Sequence, residues 1–133
     1  VPGAQAALVS VSIPDSDWLT SNMRESDAVR KHKQTAIMRR AAKAWGNKAM
    51  GAHMGVICNV GYPDPHYLGD PDNTAESLTA VLGAGVALDL MPAVPQIVAF
   101  RIDPRGSEPH THDLNLLCFT CPPDMFWPQA LLG

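Results

Sequence analysis

From Ala49 to Phe100 the chain contains no lysine and no arginine. That absence excludes a basic surface built from the middle of the molecule. It also excludes a phosphate-binding loop of the GxxxxGK[ST] type, which needs a lysine beside its glycines. The run Gly83-Ala84-Gly85 lacks the third glycine of a dinucleotide fingerprint, and no G-x-S-x-G nucleophile elbow is present. Ser107, beside Glu108 in a turn, reads as a surface serine. Cysteine is scarce, with three residues, Cys58, Cys118 and Cys121. An odd, sparse set excludes a disulfide framework and points to a reducing compartment, cytoplasmic or otherwise intracellular. No apolar run approaches the roughly 20 residues of a membrane span. The nearest, Leu78 to Leu88, holds Thr79 and two glycines and stops at Asp89. Val1 to Leu8 lacks the basic start and long apolar core of a secretory signal.

What is present instead is charge segregation. Arg24, Arg30, Lys31, Lys33, Arg39, Arg40, Lys43 and Lys48 are eight of the ten basic residues, and only Glu25 and Asp27 oppose them locally. This stretch carries about +6 and the remainder about −9, although the whole chain is only −3. A basic stripe of this kind attracts an acidic surface, a phosphate backbone or the acidic side of a sister subunit.

The 133 residues, 46% of them apolar, fit one globular domain spanning 1–133. Alternation over Ala6–Ile13 places Val9, Val11 and Ile13 on one face of a strand closed by Pro14. Helical periodicity runs from about Met23 to Trp45, with Ser21 or Asn22 as N-cap and Gly46 as the stop. On a helical wheel Ile37, Met38, Ala41, Ala42, Ala44 and Trp45 form the apolar arc. His32, Lys33, Arg39, Arg40 and Lys43 are assigned to the opposite, basic arc. Val56–Val60 reads as a strand and Gly61–Asn73, with three prolines, as a loop. Asn73 and Glu76 resemble a capping box opening a second helix, which Gly83 and Gly85 are expected to end, with a strand over 86–90 or continued helix beyond. Gln96–Ile102 and Leu114–Cys121 read as strands, paired with each other as a hairpin. The order predicts an α+β fold, a mostly antiparallel sheet with two helices packed on one face. An apolar, Pro-bounded tail (122–133) carries Met125, Phe126, Trp127, Leu131 and Leu132, and either folds back or docks on another subunit.

Two motifs carry candidate chemistry. His110-Thr111-His112 would place both imidazoles on one side of an extended segment, a two-point grip for zinc or another divalent metal, with His66, Asp64 or His53 as third ligand and Asp113 following. Cys118-Phe-Thr-Cys121 has redox or zinc spacing, but on a straight strand it divides its thiols between two faces, so buried structural thiols are expected. The leading functional expectation is a non-enzymatic assembly or interaction protein, a subunit of an oligomer or larger complex whose basic helix docks an acidic protein surface. The alternatives are a small metal-dependent enzyme using the His-x-His pair, and a non-specific nucleic-acid-binding module.

Overall fold

The computed structural model describes residues 6–20, 25–50, 53–63, 74–92, 95 and 97–120. Six elements follow one another: β1 (Ala6–Pro14), α1 (Asp27–Trp45), β2 (Met54–Gly61), α2 (Ala75–Ala87), β3 (Ile97–Ile102) and β4 (Thr111–Thr120). The four strands form one sheet in the order β1-β4-β2-β3. β4 is antiparallel to both β1 and β2, and β2 and β3 are parallel. The fold is α+β with a mostly antiparallel sheet, as the element order implied.

The hairpin expected between the last two strands does not form. β3 lies beside β2, and β4 crosses to the other side of β2, where it fills the gap between β1 and β2. The connecting turn is held on the end of β2 by backbone bonds. Asp103 N–H donates to Val60 O at 2.8 Å and Ser107 N–H to Tyr62 O at 2.9 Å. A β-carbon on Gly61 would sit 3.1 Å from Gly106 O, a tight contact that the turn would have to yield to by a few tenths of an ångström, so glycine suits the close crossing. The Asp103 carboxylate clasps Arg105 through its backbone N–H (2.9 Å), Nε (3.1 Å) and a terminal nitrogen (2.9 Å), and accepts from Asn59 at 3.2 Å. These bonds to Arg105 hold its pKa down to about 2.

One residue parity on each strand faces the helices. Val9, Val11 and Ile13, Met54, Val56, Cys58 and Val60, and Leu114, Leu116 and Cys118 pack with Ile37, Ala41 and Trp45 of α1 and Leu78 and Val81 of α2. Trp18 and Leu19, which follow β1, also enter this core. Ser77 fixes that entry by accepting from Leu19 N–H at 3.0 Å and donating to Leu19 O at 2.7 Å.

Two helix boundaries differ from expectation. The N-cap of α1 is Ser26, whose hydroxyl accepts from Val29 N–H, and Glu25 lies before the helix. Helix α2 runs through Gly83 and Gly85 to Ala87, so no strand occupies 86–90. Gly85 is a packing residue: the indole of the fully buried Trp45 lies against it, and a β-carbon there would fall 2.7 Å from Trp45 Cε2. The same indole donates from Nε1 to Val81 O at 2.9 Å, tying the end of α1 to α2. Burial and a buried hydrogen bond together outweigh the glycine's intrinsic helix cost. Among the described residues no helix is long and apolar enough to cross a membrane.

Candidate functional site

The buried stripe of α1 is Ile37, Ala41 and Trp45, spaced four apart. At 100° per residue the direction opposite this stripe belongs to His32, Ala36, Arg39 and Lys43. Their span along the axis is about 16 Å. His32, Arg39 and Lys43 are exposed, as is Lys31 on the flank. Among the described residues none of Lys31, Arg39 and Lys43 has an ion-pair partner.

The other basic residues of the helix are engaged. Lys33 does not belong to the outer face. It stands four residues before Ile37, so it points toward the sheet side, where its ammonium meets Glu25 at 2.7 Å. Arg40 lies at the margin, half exposed, 3.7 Å from Asp17. Arg30 pairs with Glu76 of α2 and bonds Thr20 O at 3.3 Å. Sorting by ion pairing therefore leaves Lys31, His32, Arg39 and Lys43 facing solvent, with Arg40 loosely held beside them. Lys31 was legible only as part of the basic stretch; its exposure depends on where α2 sits.

Two shallow grooves flank this row. One, of about 470 Å³, is lined by Ala28, Lys31, His32, Thr35, Ala36 and Arg39. The other, of about 410 Å³, runs between α1 and the edge strand β1 and is lined by Ser10, Val11, Ser12, Arg40, Lys43 and Ala44. The first brings Thr35 beside Lys31 and Arg39; in the second the Ser12 hydroxyl is turned to Asp113 at 2.7 Å, and neither groove contains Phe, Tyr or Trp.

The histidine motif takes a different shape from the extended pair expected. His110 sits in the turn before β4 with φ 60°, its side chain 92% exposed. His112, in β4 opposite Ile13, faces inward and is only 13% exposed. Its ring stacks on Trp18 at 4.1 Å and 7°, and meets the edge of Tyr62 at 5.6 Å. Asp15 lies between the two histidines, 3.0 Å from His112 Nδ1 and 3.7 Å from His110 Nδ1. The shorter contact runs off the N–H axis and is not an aligned hydrogen bond. Burial lowers the His112 pKa, against the opposing pull of Asp15 and Asp113. Among the described residues no group of three or more His, Cys, Asp or Glu side chains is placed to hold a metal ion. His66 and Asp64 lie outside the described residues.

Cys58 and Cys118 are buried free thiols in the core. Burial pushes their pKa values up to about 12 and about 11, so neither is a nucleophile near neutrality. Cys121 lies outside the described residues. The chain matches no protein-family model, and comparison with curated proteins finds no match.

Proposed function

We propose that this protein binds duplex nucleic acid without sequence preference, through the outer face of α1 and its margin with β1. The observation that carries this reading is the row of solvent-facing cations, Lys31, Arg39 and Lys43, left without ion-pair partners among the described residues while other cations of the same helix are paired. Phosphate backbones are contacted by Arg and Lys together with Ser and Thr hydroxyls, and Thr35 lines the same groove as Lys31 and Arg39. Apart from Val29, 42% exposed near the start of α1, the outer surface of the helix has no large aliphatic anchor and no Phe, Tyr or Trp of the kind that dominates protein–protein interfaces; the neutral residues of the groove beside Lys31 and Arg39 are Ala28, Thr35 and Ala36. The same lack of aromatics argues against single strands, which are held by base stacking. An acidic protein partner, the leading expectation from the sequence, is the rival reading.

The test is fluorescence anisotropy with a short labelled duplex across a salt series. Three phosphate contacts predict a slope of log K against log salt of about −2.7, an affinity loss of about 40-fold between 50 and 200 mM. Arg39→Ala with Lys43→Ala should flatten the slope by about 2 units. No duplex binding at low salt, or equal binding to a polyglutamate peptide, would transfer the proposal to an acidic protein surface.

A further inference from the structure

The strand order leaves β3 at an edge of the sheet, opposite β1. One bond fixes which way its backbone groups point. Asp103 N–H donates to Val60 O, and Val60 is the register partner of Ile102. In a parallel ladder the residues that bond the neighbouring strand alternate along the chain. Ala99 and Arg101, of the same parity as Asp103, therefore turn their N–H and C=O groups to β2, and Val98 and Phe100 turn theirs outward. Among the described residues nothing bonds these outward groups. Val98 is opposite Val56 and Phe100 opposite Cys58, both in the core, so the side chains of Val98 and Phe100 lie on the helix side of the sheet. There they line a groove of about 580 Å³ between β3 and α2, whose helix wall includes Leu78, Leu82 and Val86. Val98 is 45% exposed and Val86 38%. The same two strand residues thus present unpaired backbone and one wall of an apolar groove. Arg101, the one charged residue of β3, belongs to the other parity. None of these residues belongs to the outer row of α1.

We propose that this edge binds an extended segment of another protein, added as a further strand beside β3, with apolar side chains at alternate positions seated in the groove. Outward N–H and C=O groups at every second residue match the backbone of a strand. Helix α2, with 13 residues, is about 20 Å long, the length of about six extended residues. The described lining of the groove holds no charged residue, so it suits apolar side chains rather than ionic ones. In a second copy of this chain the helix-side residues of β3 already line their own groove, so that strand has no side chains left to fill this one.

Two measurements on the full-length protein test the proposal. Amide hydrogen exchange of the protein alone should be fast at Val98 and Phe100 and slow at Ala99 and Arg101. Slow exchange at Val98 and Phe100 would overturn it. At every concentration, such protection marks a segment of the same chain on the edge, for instance the apolar tail (122–133), which lies outside the described residues; only at high concentration, it marks a second copy. Selection from random linear heptapeptides displayed on phage should enrich apolar residues two apart, and a synthetic peptide of a selected sequence should shift the amides of Val98 and Phe100. Val98→Pro removes an N–H that the sheet does not use, so the fold should persist while affinity for that peptide falls about tenfold. Val86→Asp, on the exposed flank of α2, should weaken it as well without touching the strand. No enrichment, apolar residues three and four apart, or affinity unchanged by both substitutions would each overturn the proposal.

Discussion

Replacing Gly85 by alanine puts a methyl group where Trp45 already lies. The new carbon would stand 2.7 Å from Cε2, 2.8 Å from Cζ2 and 3.0 Å from Met91 Cγ, all below ordinary van der Waals contact. Trp45 has little freedom to retreat. It is fully buried, and swinging the indole away breaks the bond from Nε1 to Val81 O. Overpacking of this kind costs about 1–3 kcal/mol. The intrinsic preference of alanine over glycine in a helix returns about 1 kcal/mol. The net effect is destabilisation of about 0–2 kcal/mol. Gly83, two residues earlier in the same helix, is the control. A β-carbon there meets only Met38 Cε, at 3.7 Å, so Gly83→Ala should gain about 0.5–1 kcal/mol. Urea denaturation followed by tryptophan fluorescence should thus separate two chemically identical substitutions by about 1–3 kcal/mol, with opposite displacements of the midpoint. Trp45→Phe in the Gly85→Ala background relieves the collision and should cost less than Trp45→Phe alone. Equal stability of the two alanine variants would refute the packing assigned to Gly85.

Protonation at His112 should destabilise the fold. Its folded pKa lies below that of the unfolded chain, about 6.5, so its contribution is complete above that value and is lost as pH falls through it toward the lowered folded value. Wild type should lose more urea resistance than His112→Gln between pH 7.5 and 5; parallel losses would remove His112 as the cause. Cys58 and Cys118 should resist a thiol reagent at pH 8 in the native protein and react once denatured; fast native labelling of either would contradict their burial. Lys33→Ala should leave duplex affinity within about twofold of wild type, because Lys33 faces Glu25, whereas Lys43→Ala should reduce the salt slope by about 1. Equal losses in the two variants would undo the separation of outer from inward cations.

The element order and fold class were legible because alternation in β1, helical spacing in α1 and the β-branched run in β2 are local signals. Strand partnering was not. β3 and β4 are adjacent in the chain, with only residues 103–110 between them, and the crossing over β2 involves Gly61, Asp103 and Asn59 together at long range. Gly85 misled for the same reason. Glycine lowers helix propensity locally, and only the docked indole explains why the helix continues. In the candidate site, His32, Arg39 and Lys43 were readable from helical spacing. Lys33 was misplaced on the wheel because 100° from His32 already carries it to the flank of the buried stripe, where Glu25 waits. The His-x-His spacing implied an extended pair, whereas the positive φ of His110 turns one ring outward and the aromatic pocket draws the other in.

The proposed function stands on α1 meeting phosphate with its outer row. Backbone amide chemical shifts recorded during titration with a short duplex test it most directly. Shifts should concentrate at Lys31, Thr35, Arg39, Lys43 and the neighbouring Ser10 and Ser12, and added salt should reverse them. Shifts elsewhere with this row silent, or no shift at low salt, would contradict it.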